Sequence, residues 1–174
     1  MTSFPPILGS QPTILILGSM PSQMSLAKRR YYANPSNAFW WLMSQIIGFS
    51  IDLSYAERCQ HLEQAGFAVW DVLHDCERKG SLDSNIVRES EQANDIASLI
   101  KNNPSLTKIG FNGRAAQAIF GRHIKLDDLS LDIQQHLLPS TSSAHARMKK
   151  QQKLQAWCLA LDIKAVDENS LSVK

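Results

Sequence analysis

The sequence predicts an α/β fold, a three-layer αβα sandwich around a central four-stranded parallel sheet. Short apolar runs recur at residues 14–17, 67–73, 106–111 and 136–138, and each ends in a polar or glycine-containing turn. Amphipathic stretches long enough for helices separate these runs, and parallel strands require such crossovers. The first run is apolar without alternation, the pattern of a strand covered on both faces.

Residues 14–17 are stopped by Gly18, and Gly18-Ser19-Met20-Pro21-Ser22 follows as a turn. A glycine free to take positive φ and a proline with fixed φ let the backbone bend and present N–H groups at the strand's carboxyl end. Open α/β sheets place their ligands there. After the basic, aromatic passage Lys28-Arg29-Arg30-Tyr31-Tyr32, Asn34-Pro35 reads as an N-cap with proline at the first helical position. Phe39, Leu42, Met43, Ile46 and Ile47 then form a core stripe, which leaves Asn37 and Trp41 on the other side with Trp40 and Ser44 beside them. Either the loop 19–33 or a substrate covers that second face.

Residues 54–65 read as a helix closed by Gly66. The second strand, 67–73, is apolar except for Asp71 near its end, and the polar segment 74–85 is a loop. A helix over 91–101 stops at Asn103-Pro104. The third strand, 106–111, turns at Asn112-Gly113 into a helix over 114–120. Residues 121–135 are irregular, with room for a short edge element. The fourth strand, 136–138, enters Pro139-Ser140-Thr141-Ser142-Ser143, and a last helix over 144–161 buries Leu154, Trp157, Cys158 and Leu161. The polar tail after Asp162 is expected to fray.

A chain of 174 residues with 44% hydrophobic content is most simply one domain over 1–174, with its core at about 12–162. A net charge of +2 is too mild to declare a nucleic-acid binder, although residues 28–30 and 147–153 form local basic clusters that suit a phosphate backbone. Three widely spaced cysteines, with no CxxC, argue for a reducing compartment and against a disulfide framework or metal cluster. No apolar run is long enough for a membrane span, so a cytoplasmic protein is expected. The turns at 18–22, 71–75, 112–113 and 140–143 should share one rim of the sheet. GSMPS is neither GxGxxG nor a P-loop, no GxSxG elbow occurs, and no clustered metal ligands appear, so no cofactor and no metal are expected.

GSMPS with the following SL, YYANPSNAFW, WDVL with GSLDS, FNG and LPSTSSAHA occur in that order between residue 14 and about residue 157. Together they resemble the uracil-DNA glycosylase superfamily, and within it the hypoxanthine (deoxyinosine) DNA glycosylase branch. The resemblance implies a monomeric repair enzyme that flips a deaminated base out of DNA and hydrolyses its N-glycosidic bond without a cofactor. Mismatch-type uracil excision is the alternative substrate reading, and a catalytically weak protein that binds damaged or single-stranded DNA is the alternative class.

Two departures from the wider superfamily shape the assignment of residues. Met20 stands where uracil enzymes carry the carboxylate or amide that positions water, and Leu138 stands where the pyrimidine-specific type has a histidine. Water activation is therefore assigned to Asn37. Gly18, Ser19, Met20, Phe39, Asp71 and Asn112 are the candidate base-binding residues. Ser22, Ser140, Thr141, Ser142, His145 and Arg147 are the candidates for DNA contacts, the serine and threonine hydroxyls by gripping phosphate. Phe39 is either the ring on which the base stacks or plain core. Asp71 either reads the base, as an ionised carboxylate that accepts N1–H of hypoxanthine and repels N1 of adenine, or caps its loop or pairs with Arg78. Asn112 either approaches the base or sugar or simply caps a helix, and the hydroxyls at 140–142 are equally good capping groups.

Overall fold

The structure is a computed structural model in which residues 1–125, 133–145 and 147–166 are described. Strands β1 (Ile14–Gly18), β2 (Phe67–Asp71), β5 (Lys108–Asn112) and β6 (Gln134–Leu138) form one parallel sheet in the order β2-β1-β5-β6. Between β2 and β5, the short strands β3 (Leu73–Asp75) and β4 (Gln92–Ala93) make a separate antiparallel pair. Helices α1 (Gln23–Lys28), α2 (Phe39–Ile47), α3 (Tyr55–Gln64), α4 (Ile96–Asn102), α5 (Arg114–His123) and α6 (Lys150–Leu161) complete the layers.

Alternation along β1 assigns the two cores. Ile14 and Ile16 join Phe39, Leu42, Met43, Leu62, Leu154 and Trp157 from α2, α3 and α6, whereas Leu15 and Leu17 join Ile96, Ile100 and Phe120 from α4 and α5. The sheet therefore has helices on both faces, the predicted sandwich. Trp157 anchors one side, fully buried with its indole N–H donating to Pro139 O at 2.9 Å. An N-terminal segment, unforeseen in the sequence, pairs Ile7 with Val69 along the outer side of β2.

Several boundaries differ from the sequence reading, each for a local reason. The expected helix start at Asn34-Pro35 is a turn: Asn34 Oδ1 accepts from Ser36 N and Ser36 Oγ, and α2 begins only after Ala38, whose N–H donates to Thr141 O. Ser22 caps the unexpected α1, which ends at Arg29 in a left-handed conformation. The single strand expected over 67–73 breaks at Val72, because the N–H groups of Val72 and Leu73 turn to the carbonyls of Gly18 and Ser19. Glu91 ion-pairs with Arg122 and lies 2.7 Å from His123 Nε2, and α4 starts after Asp95, whose side chain accepts from Ser98 N. The last helix starts at Lys150 rather than 144, because His145 N closes a turn onto Ser142 O. The expected irregular stretch 121–135 begins with the end of α5, ends with the start of β6, and falls between them on residues 126–132, outside the described residues, as does the end of the tail at 167–174.

Trp157→Ala removes a fully buried ring and its hydrogen bond, so urea denaturation should show a loss of about 3–5 kcal/mol.

Candidate active site

The carboxyl ends of β1, β2, β5 and β6 meet at a cleft of about 420 Å³, lined by residues 18–25, Tyr31, Tyr32, Asn34, Asn37, Asp71, residues 81–83, Asn112 and residues 140–144. All four predicted turns contribute to it. Gly18 stands opposite Asp71 in the parallel register, and a Cβ on Gly18 would collide with Asp71 Oδ1. The described glycines with positive φ are Gly48, Gly66, Gly80 and Gly113, so Gly18 is required for the close approach of the carboxyl rather than for a left-handed turn.

The following turn is fixed by a pair the sequence did not single out. Arg78, itself buried, donates to Met20 O at 3.5 Å and to Pro21 O, and lies 3.8 Å from Asp83. Asp83 in turn accepts from Ser19 Oγ at 2.6 Å. Ser22 Oγ accepts from Ser25 N at the start of α1. The ion pair of Arg78 is thus with Asp83, not Asp71.

Asp71 is 3% exposed, and its Oδ2 is buried without a hydrogen-bond partner. Burial raises its pKa to about 8, the charge of Asp83 pushes it the same way, and Arg78 opposes. Asp71 is therefore an uncharged acid at neutral pH. This corrects the expectation of an ionised carboxylate, and desolvation is the reason.

Asn37 lies in the loop before α2, not on the far face of a helix. Its Oδ1 accepts from Phe39 N at 2.9 Å, which orients the amide and leaves the second lone pair of that oxygen for another donor. Phe39 has no exposed surface and lies behind Tyr32, whose ring stacks on it at 3.9 Å and 20°. Tyr32, which lines the cleft beside Tyr31, is held with φ 52° and is missed because nothing in a YY dipeptide distinguishes a cleft ring from a core one.

Asn112 ties three segments together: Nδ2 donates to Tyr32 Oη at 3.0 Å and to Thr141 Oγ1 at 2.9 Å, while Oδ1 accepts from Thr141 N at 2.9 Å. Thr141 is buried, and its carbonyl accepts from Ala38 N, which connects this node to the Asn37 loop. Ser140 and Ser142 cap their own turn through Ser142 N and Ala144 N. His145 and Arg147 are exposed and lie outside the cleft lining.

The family model of the uracil DNA glycosylase superfamily matches residues 5–161. The chain belongs to this superfamily. A protein of Methanosarcina acetivorans named hypoxanthine DNA glycosylase is 38% identical over 148 residues, 84% of this chain and 89% of that one. One of the same name from Methanosarcina barkeri is 36% identical over 112 residues, covering 64% and 70%. A solution NMR structure from Methanosarcina acetivorans, described provisionally as a uracil DNA glycosylase, superposes with a TM-score of 0.74 at 35% identity over 88% of this chain and 92% of that one.

Within the superfamily, the two departures have a structural account. Met20 is 6% exposed and packs with the core that holds Leu73 and Ile96. Leu138 is 1% exposed in the opposite core, beside Trp157. Both positions are apolar packing sites, so the polar groups of the cleft come from other lining residues, Asn37, Asp71, Asn112 and the serine-rich turns among them.

A carboxyl whose folded pKa is raised stabilises the fold fully below its unfolded pKa, near 3.9, and loses that contribution as pH climbs through about 8. Asp71→Asn lacks this loss. The Tm of the variant minus that of the parent should therefore grow between pH 4 and pH 9 by at least ~2 °C, the shift made by about 1 kcal/mol in a chain of this size; calorimetry at the two pH values measures it.

Proposed function

We propose that this chain is a single-domain DNA glycosylase that acts as a monomer on deoxyinosine, with the hypoxanthine flipped into the cleft and its N-glycosidic bond hydrolysed. The observation that carries the reading is the buried carboxyl of Asp71 in the cleft wall with one oxygen unpartnered, a setting that favours the neutral acid. A neutral carboxyl offers one donor and one acceptor, and the lactam edge of hypoxanthine offers O6 and N1–H. The relatives named for hypoxanthine support the same substrate.

Glycosidic cleavage builds negative charge on the departing base and positive charge on the sugar. Negative charge on hypoxanthine spreads to O6, where the Asp71 hydroxyl donates, so the carboxyl takes the electrostatic part that Leu138 cannot. Adenine has no carbonyl to receive that charge. An acid offers its N1 a donor as well, so rejection of adenine rests on the poorer leaving group rather than on the repulsion expected of a carboxylate. The free lone pair of Asn37 Oδ1 accepts a hydrogen bond from the attacking water and orients its oxygen towards C1′, and the water's proton ends on the released hypoxanthine. A flipped base meets the ring of Tyr32, backed by Phe39, while the turn 140–144 and Ser22 border the strand. Uracil presents the same lactam pattern, which makes it the second substrate.

Purified protein with EDTA should cut an end-labelled duplex at a single deoxyinosine after alkali treatment, and cleavage at deoxyuridine alone would exchange the two substrates. Asn37→Ala should lower single-turnover cleavage at least ~100-fold while sparing binding, in the range of losing one positioned catalytic group. Full activity in that variant would assign water activation elsewhere.

Excision of hypoxanthine should fall as pH rises through about 8, because the donor to O6 is lost when Asp71 ionises. Asp71→Asn keeps a donor and an acceptor that do not titrate, so its slower rate should be level from pH 6 to pH 8, below the range in which N1–H of hypoxanthine itself ionises; a parallel fall in both proteins over that range would remove Asp71 from this role.

A further inference from the structure

Beside the base cleft lies a second concavity of about 400 Å³, and the two share Tyr31, Tyr32, Asn34 and Asn37. The basic clusters at 28–30 and 147–153, far apart in sequence, meet here: Lys28, Arg30 and Lys150 line the hollow together with Arg58 from α3, and no Asp or Glu lines it. Between the cations stand Trp40, Trp41 and Tyr55. Arg58 lies 4.7 Å over Trp40, Arg30 5.5 Å over Tyr55 and Lys150 5.8 Å over Trp41.

None of the four cations belongs to an ion pair among the described residues. Arg58 Nε is buried with no hydrogen-bond partner. Burial works most strongly against the Arg58 guanidinium, Cys59 opposes that effect, and the neighbouring charge of Arg30 adds to it. Like charges gathered in one hollow repel, and an anion relieves that repulsion. The accompanying rings select the kind of anion, because bases stack on aromatic faces while phosphates take cations.

We propose that this hollow is a second nucleotide site, which takes the base and phosphate of a nucleotide flanking the one flipped into the base cleft. The common wall at Tyr31, Tyr32, Asn34 and Asn37 makes occupants of the two cavities neighbours, as successive nucleotides of one strand are. Trp41, half-buried beside the exposed Ile51, supplies the stacking face, and Lys28, Arg30 and Lys150 supply exposed charge for the phosphate. A base stacked on Trp41 has left the duplex stack, so the site favours single-stranded or locally opened DNA. The inference rests on reading the chain as an enzyme of DNA.

The test is titration of the full chain with an undamaged single-stranded thymidine pentanucleotide, followed by tryptophan fluorescence. Saturable quenching is expected, weakened about tenfold by Trp41→Leu, within the span of losing one stacked base. The exposed pair Lys28→Gln with Lys150→Gln, which leaves the core untouched, should weaken binding similarly and flatten its salt dependence by about 0.7 for each phosphate that is no longer neutralised. On an inosine-containing single strand, an abasic tetrahydrofuran in place of one flanking base should lower excision by the parent about tenfold and that by Trp41→Leu no further. Unchanged pentanucleotide affinity in both variants would overturn the proposal, as would equal affinity for free thymidine monophosphate, which would make this a site for loose nucleotides. Trp41-dependent quenching in a protein that excises nothing would keep this site and remove the glycosylase reading instead.

Discussion

The close approach of Asp71 to Gly18 is the contact on which the cleft depends. Two parallel strands end side by side, and a carboxyl fills the space that any side chain on the first strand would need. Placed there, the carboxyl is out of water and away from a cationic partner, because Arg78 donates to the backbone of the adjoining turn and pairs with Asp83. A buried group of this kind sheds its charge rather than bear the cost of desolvation. Backbone spacing thereby favours the uncharged form of a carboxyl in the cleft wall.

A second set of contacts holds the opposite wall. Asn112 links the end of β5 to Thr141 and to the phenol of Tyr32, and Thr141 reaches the start of α2. The loop carrying Asn37 is therefore tied to the same node as the ring that lines the cleft. Few side chains of this wall are free to turn, and a site whose donors are already aimed has little reorganisation left for the reaction itself.

Much of the architecture is legible in the sequence. Strands β1, β2 and β5 each carry an apolar run ended by a turn, and β6 a pair of leucines before Pro139; that pattern is local, so four strand positions and their shared rim follow from it. Asp71 stands out for the same reason, as a carboxylate within an apolar run. Its ionisation does not, because the position of Asp83 and the depth of burial depend on residues remote in the chain. Asn37 reaches the cleft as its sequence context suggests, but from a loop rather than a helix. Asn-Pro fits a helix start and a tight turn equally well, and the contact that decides between them is Ala38 with Thr141, a hundred residues on. The parts that Tyr32 and Arg78 take in the cleft have no local signature, since they exist only once distant segments are packed.

The order of synthesis gives the Asn112–Thr141 node a further meaning. The residues that bear Asn37 and Asp71 leave the ribosome long before Thr141, and until it arrives the Asn112 amide has Tyr32 but neither the hydroxyl nor the N–H of Thr141. Trp157, whose indole holds Pro139 at the base of the same turn, is made later still. A nascent or prematurely ended chain thus carries Asn37 and Asp71 but not the wall beside them, so the cleft is completed with the last helix rather than with those two residues.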